Sequence, residues 1–114
     1  MIPKKLVFLG IKELVKELEL EKRLISKIGV FILELDKSFS FIGNQYHLEY
    51  NNKEYFGDLL FFHRGLQLLL AVELKIGRFK AEHVGKMNLY LSLLDRLERG
   101  KNENPSTGII LSAD

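Results

Sequence analysis

The chain has 114 residues and a formal net charge of +2, with 46% hydrophobic and 28% charged residues. These values fit one globular domain with one core and exclude a disordered chain, and the charge is too small to indicate nucleic-acid binding by itself. Cysteine is absent, which excludes disulfides, thiolate zinc sites and cysteine nucleophiles and agrees with a cytoplasmic location. No apolar run reaches the roughly 18 residues of a membrane span, so we expect no membrane partner.

The N-terminal part is predicted to be helical, with a clear apolar face only further along. The segment from Lys12 to Leu20 has helix-forming composition but weak periodicity. Residues 1–18 are therefore predicted to be a connector or a short helix, ahead of a domain over residues 19–114. A first helix is expected from about Glu19 to Lys37. Its apolar face is formed by residues at helical spacing, namely Leu24, Ile28, Phe31 and Leu35.

Three strands are predicted to follow this helix. They are rich in aromatic and β-branched residues and cover Phe39–Tyr50, Tyr55–His63 and Leu68–Lys75. Polar residues at Asn51–Lys53 predict a hairpin turn between the first two strands, and Arg64–Gly65 predicts the next turn. The third strand is apolar on both faces, which is typical of a central, covered strand.

A second helix and a last strand complete the pattern. The helix is expected from about Ala81 to Arg99, with Gly100 as its stop, and the strand from Thr107 to Leu111. A helix that crosses between two strands usually joins parallel neighbours in a right-handed connection. The sequence therefore predicts an α/β fold with an α-β-β-β-α-β core and a mixed central sheet.

Three charged residues are predicted to share one face of this sheet. Side chains alternate along a strand, so Glu73 and Lys75 project from the same face. In a hairpin around Arg64–Gly65, facing residues have numbers that sum to about 129 to 131, which places Asp58 opposite Ala71 or Glu73. In either register two carboxylates and one ammonium group form a cluster.

This cluster has the chemistry of a metal-dependent phosphodiesterase. Two carboxylates side by side repel each other, and Mg²⁺ (or Mn²⁺) would relieve that repulsion while keeping sites for water and phosphate. Such an ion can polarise a phosphodiester and lower the pKa of an attacking water. Lys75 would then orient that water or neutralise charge developing on the phosphate. The competing interpretations are that Asp58 is a strand-edge acid and that Glu73–Lys75 is a surface salt bridge of little energetic value.

The same residues carry a family resemblance. Asp58 followed by Glu73-Leu74-Lys75 resembles the Asp…(Asp/Glu)-x-Lys signature of PD-(D/E)XK nucleases, whose restriction-endonuclease-like core has the predicted element order. A longer set of segments resembles the C-terminal nuclease domain of YhcG-type bacterial proteins. These segments are Phe31–Leu35, Phe41–Tyr46, Asp58–His63, Glu73–Phe79 and Glu103–Ser106.

The resemblance implies a metal site and a motif on the second helix. Glu34 matches the additional acid that many superfamily members direct at the metal, although it could instead pair with a nearby lysine. The backbone carbonyl of Leu74 would be a further ligand. Many exonuclease-like members carry Gln-x-x-x-Tyr on the second helix, and here Tyr90 is kept while Lys86 stands where glutamine is usual.

Nucleic-acid contacts are expected around the start of the second helix. Arg78 and Lys80 follow the third strand, where a nucleic-acid backbone would pass, and Lys86 and Tyr90 are further candidates. Lys86 could instead be a solvated helix residue and Tyr90 a packing residue. Gln45 could approach the site or face solvent.

The favoured function is a Mg²⁺-dependent deoxyribonuclease, with DNA as partner. The alternatives are a catalytically silent nucleic-acid-binding or assembly domain, and a protein–protein module. The resemblance covers only the nuclease part of YhcG-type proteins, which implies an excised domain of a larger restriction or repair protein or a minimal homologue. A homodimer is also compatible, and the sequence leaves DNA against RNA and endonuclease against exonuclease open.

Overall fold

The element order is α-β-β-β-α-β, as predicted, and it forms a four-stranded mixed sheet with a helix on each face. The computed structural model describes the backbone of residues 11–113 and the side chains of residues 19 and 21–112. Strand order is β1-β2-β3-β4, antiparallel except for the parallel pair β3–β4. The elements are α1 Ile11–Leu35, β1 Phe39–Tyr50, β2 Lys53–His63, β3 Leu68–Ile76, α2 Ala81–Leu97 and β4 Thr107–Ala113.

Helix α1 is longer than the sequence predicts. Its described part extends from Ile11, ahead of the predicted start at Glu19. It ends at Leu35 instead of Lys37, because the Asp36 carboxylate accepts the Ser38 backbone N–H at 2.8 Å and turns the chain. Helix-forming composition therefore outweighed weak periodicity here. The connector predicted before Ile11 lies outside the described residues, and the domain division at residue 19 stays a prediction. Across residues 11–113, no helix is both long and apolar enough to cross a membrane.

Each face of the sheet has its own core. Leu59, Phe61, Leu70 and Val72 pack with α1 residues, and Leu60, Leu69 and Ala71 pack with α2. Strand β3 is thus covered on both sides, which confirms its predicted central position. Because side chains alternate along β3, the neighbours Glu73 and Lys75 belong to the α2 face. The largest fully buried side chains are Phe61, Leu60, Leu94 and Val72.

The β1–β2 hairpin extends well beyond the strand that supports it. β1 and β2 pair as far as a two-residue turn, where Asn51 and Asn52 both have positive φ, as the predicted hairpin turn requires. The β2–β3 ladder, in contrast, pairs Leu59–His63 with Leu68–Val72. From Asp58 towards the turn, β2 separates from β3 and leaves a cleft between them.

The regular alternation of side chains along β2 is interrupted at this point of separation. Tyr55 and Leu60 pack on the same core cluster, although residues five apart in a regular strand face opposite sides. On β1, the residue at the matching register is Gln45, whose φ of 45° lies in the left-handed region. Both strands of the hairpin are therefore distorted at Gln45 and Asp58.

Candidate active site

Asp58 lies at the apex of the cleft and links β2 to β3 through its side chain. Its Oδ2 accepts the backbone N–H of Leu74 at 2.7 Å, and its own backbone N–H donates to Glu73 Oε1 at 3.1 Å. The observed ladder has register sums of 131, which is the predicted register that sets Asp58 opposite Glu73. The structure therefore brings the two predicted carboxylates together.

The Glu73 carboxyl group is held in an unfavourable environment for a negative charge. Burial, and next the negative charge of Asp58, raise its pKa to about 7, while the Asp58 backbone N–H and the Lys75 ammonium group act in the opposite direction. Burial and a nearby like charge penalise the ionised form of a carboxyl group, whereas a donated hydrogen bond and a nearby opposite charge favour it. The carboxylate pair therefore carries more negative charge than its protein surroundings compensate.

Gln45 is the residue that completes the hydrogen bonding of Asp58. Its Nε2 donates to Asp58 Oδ1 at 3.1 Å, from a backbone with φ of 45°. Non-glycine residues in the left-handed region cost about 1–2 kcal/mol and often occur at functional sites. Of the two alternatives left by the sequence, the structure places Gln45 at the site.

Of the α1 acids whose side chains are described, Glu21 lies in this region. Glu21 is half-buried, and its pKa is raised by burial and by the charge of Asp58, with Lys75 opposing the shift. The charge effects require it to lie near both residues. No motif in the sequence marks Glu21, because its position depends on where α1 crosses the sheet.

Glu34, the acid predicted for this role, is placed elsewhere. It is exposed and lies about 20 Å along the helix from Glu21. The C-terminal end of α1 is fixed to the other end of β2, where His63 Nε2 hydrogen-bonds Asp36 Oδ2 at 3.1 Å. From Asp58 to His63 the strand rises about 17 Å. Among the α1 side chains that the structure describes, this geometry makes Glu21, and not Glu34, the acid nearest the site.

Tyr90 is brought to the site as a packing residue. It is 5% exposed, and its hydroxyl donates to the Tyr46 backbone carbonyl at 2.9 Å. A Cβ on Gly57 would lie only 2.7 Å from the Tyr90 ring, so glycine is needed there. Burial raises the Tyr90 pKa, and the charge of Glu73 contributes. The phenol therefore supports the hairpin immediately before Asp58, and a direct nucleic-acid contact by Tyr90 stays a prediction.

The cleft beside the carboxylates contains two of the predicted lysines. Glu73 and Lys75 line it from β3, and Lys86 lines it from α2 with an exposed side chain. Lys80 is the N-cap residue of α2, and its backbone N–H donates to His83 Nδ1 at 3.1 Å. Arg78 is exposed just before it. Arg78 and Lys80 therefore lie near the site in sequence, at the N-terminal end of α2, but they are not among the residues that line the cleft.

The donor set fits a metal held by few protein ligands. Among the described residues, no group of three or more His, Cys, Asp or Glu side chains is arranged to hold a metal ion. Mg²⁺ is commonly bound by one or two carboxylates together with water and phosphate, so Asp58 and Glu73 suffice in number. Their uncompensated charge, seen in the raised pKa of Glu73, is what a divalent cation would neutralise.

Comparisons with known proteins identify the family of this chain. The family model described as the YhcG PDDEXK nuclease domain matches residues 3–114. A protein of Escherichia coli (strain K12) named "Putative nuclease YhcG" is 39% identical over 109 residues, which are 96% of this chain and 29% of that protein. No solved structure matches the chain. The match over nearly the whole chain, with the α-β-β-β-α-β fold, shows that this chain belongs to the YhcG PDDEXK nuclease domain family.

Proposed function

We propose that this domain hydrolyses phosphodiester bonds in DNA with the help of Mg²⁺ or Mn²⁺ held by Asp58 and Glu73. The observation that carries the proposal is the half-buried carboxylate pair at the cleft apex, where Glu73 Oε1 accepts the Asp58 backbone N–H at 3.1 Å and the Glu73 pKa is raised to about 7. Perturbed carboxyl groups in a cleft are a physical mark of functional sites. A purely structural ion pair would place a cation against Glu73 instead of a second carboxylate.

The Leu74 backbone supports the same assignment. Its N–H points to β2, since it donates to Asp58 Oδ2 at 2.7 Å. The N–H and C=O of one residue in a strand point to the same edge, so the Leu74 carbonyl also faces the gap between β2 and β3. Asp58, Glu73 and the Leu74 carbonyl would therefore hold the ion together. When bound there, it would polarise the phosphodiester and lower the pKa of the attacking water.

The remaining polar side chains would position the reacting groups. Lys75 lies two residues beyond Glu73 on the same face and lines the cleft, so its ammonium group would stabilise charge that develops on the phosphate. Gln45 would hold the Asp58 carboxylate in one orientation through its 3.1 Å hydrogen bond. Glu21 would add negative charge from α1, in the role that the sequence assigned to Glu34.

Substrate binding would use the basic residues around the cleft. Lys86 lines it, and Arg78 and Lys80 stand at the start of α2, where they would contact the phosphate backbone without reading sequence. The chain spans 29% of the Escherichia coli relative, so we propose that this nuclease domain acts within a larger restriction or repair protein. Pairing of two copies would allow both strands of a duplex to be cut.

A catalytically silent nucleic-acid-binding or assembly domain is the second candidate. Two observations favour it: the described residues contain no ready-made cluster of three metal-binding side chains, and Lys86 replaces the usual glutamine. This candidate predicts salt-dependent DNA binding without metal-dependent turnover.

The deciding experiment is a cleavage assay with Asp58→Asn and a matched control, Asp36→Asn. Plasmid, linear duplex, single-stranded and branched DNA would be incubated with each protein in Mg²⁺, Mn²⁺ or EDTA. We expect metal-dependent cleavage by the wild type and by Asp36→Asn, and its loss in Asp58→Asn. Cleavage that persists in Asp58→Asn would refute the proposed site. Binding without cleavage of any substrate would instead establish the silent domain.

A further inference from the structure

The cleft that leads to the carboxylates is an open groove formed by strand separation. One wall is the end of β2, residues 53–56, which has left β3 by this point. The other wall is α2, and the floor includes Glu73 and Lys75. The groove has a volume of about 510 Å³, which is within the usual size range of small-ligand pockets, such as one that would hold a nucleotide.

The balance of charge in the groove is positive. Three lysines line it, Lys53, Lys75 and Lys86. The two acids beside them are Glu54, which lies 3.5 Å from the His47 imidazole, and Glu73, so the lysines outnumber the carboxyl groups. Such a groove attracts the phosphates of a polynucleotide.

An exposed aromatic residue, Phe56, is among the residues that line the groove. Phe56 is 54% exposed, and its ring is held by the cross-strand neighbour His47, with centroids 4.9 Å apart and planes inclined by 30°. On the opposite wall, Leu89 is 48% exposed. Proteins that bind unpaired strands combine a basic groove with aromatic side chains on which bases stack. Both features are present together here.

We propose that this groove binds a single-stranded polynucleotide, with a base stacked on Phe56 and phosphates beside Lys53, Lys75 and Lys86. The inference rests on the proposed nuclease function and names its substrate class. Base faces inside a duplex are covered by their neighbours, so only an unpaired or frayed strand can use the Phe56 ring. The strand would then run along β2 to the carboxylates at the cleft apex.

A fluorescence experiment tests the stacking directly, because the chain contains no tryptophan. Phe56→Trp introduces a single tryptophan, whose emission is excited separately from that of the tyrosines. Phe41→Trp is the matched control on β1, since Phe41 is 49% exposed and lines a separate groove against α1. Titrations use oligothymidylate, oligouridylate and a blunt duplex in EDTA. We expect saturable quenching of Phe56→Trp by a single strand and little change for Phe41→Trp. Preference for oligothymidylate or oligouridylate identifies DNA or RNA as the ligand.

Affinity measurements complete the test. By fluorescence anisotropy, Phe56→Ala is expected to weaken single-strand binding at least about fivefold, while Phe41→Ala leaves it unchanged. Lys53→Gln and Lys86→Gln should each reduce the slope of log affinity against log salt by about 1. Absence of quenching, or equal quenching by blunt duplex, overturns the proposal. Because binding is measured without metal, a failure of cleavage with intact stacking refutes only the proposed function.

Discussion

The polar groups at the two ends of the β2–β3 pair lie in opposite electrostatic environments. At the turn end, His63 is 8% exposed, and both ring nitrogens have partners: Nε2 hydrogen-bonds Asp36 Oδ2 at 3.1 Å, and Nδ1 accepts the Leu66 N–H at 3.0 Å. Asn104 closes this end by donating its side-chain amide to the Leu66 carbonyl at 2.8 Å. Each buried donor meets an acceptor, as stability requires.

At the Asp58 end, like charges meet instead. The Asp58 and Glu73 carboxyl groups are adjacent, burial and mutual repulsion raise the Glu73 pKa to about 7, and Gln45 nearby has a strained backbone. The same two strands therefore have a structural end at His63 and, at Asp58, the end that holds the candidate site, which we call the chemical end. At the first an imidazole links its neighbours, and at the second two carboxyl groups lie together, with Asp58 hydrogen-bonded by Gln45 and by the Leu74 N–H.

The largest effect is expected at the chemical end. Lys75→Met should reduce the cleavage rate about a hundred- to a thousandfold, because it removes the ammonium group that stabilises the developing phosphate charge. The melting temperature should change little. Steady-state cleavage with Mn²⁺ measures this, with Lys101→Met, at an exposed lysine of the loop before β4, as the matched control. A Lys75→Met protein that cleaves at the wild-type rate would remove Lys75 from the mechanism.

The structural end should respond in the opposite manner. His63→Ala leaves the Leu66 N–H and the Asp36 carboxylate without their shared partner, and we expect a loss of about 2–3 kcal/mol in the free energy of unfolding. Urea denaturation monitors the loss, and cleavage at a temperature where the variant is folded should be retained. A large loss of activity in folded His63→Ala would show that the two ends are coupled.

The pH dependence of stability should reveal Glu73. Its pKa rises from 4.5 unfolded to about 7 folded, so the folded state holds the proton between these values and stability falls as pH rises through that window. With solvent screening, the effect is on the order of 1–2 kcal/mol. Thermal melts in EDTA from pH 4.5 to 8 test it, with Glu73→Gln expected to flatten the profile and Mg²⁺ to restore stability above pH 7. An unchanged profile in Glu73→Gln would contradict the assignment.

Two glutamates of α1 test whether position along the helix decides which acid supports the site. Glu21→Gln removes a negative charge near Asp58 and should weaken the apparent Mn²⁺ affinity about tenfold. Loss of a residue that supports a metal site from outside its ligands has an effect of this size. Glu34→Gln lies on the exposed end of the helix and should have no effect. Calorimetric titration of both variants with Mn²⁺ compares them, and the reverse ranking would return the role to Glu34.

The smallest effect on stability is expected from Gln45. Gln45→Gly relieves the left-handed backbone, which should stabilise the fold by up to about 1 kcal/mol, while cleavage decreases because Asp58 loses its hydrogen bond. Chemical denaturation and cleavage are measured on the same preparation. A variant that is both less stable and fully active would show that Gln45 serves the fold and has no role at the site.

The sequence by itself determined the element order and the register that sets Asp58 opposite Glu73, two residues before Lys75. A strand has a side-chain period of two, and a short hairpin fixes its own register, so local pattern is sufficient for both. The YhcG PDDEXK family assignment follows from the match of the family model over residues 3–114.

Tertiary structure alone decided which end of α1 lies by the site, and hence the choice of Glu21 over Glu34. It also decided that Gln45 reaches Asp58, that Tyr90 packs on Gly57 and that β2 leaves β3 to open a groove. These features depend on how a helix crosses a sheet and where two ladders stop. Contacts between residues far apart in sequence set that geometry, and the local periodicity of the sequence does not predict it.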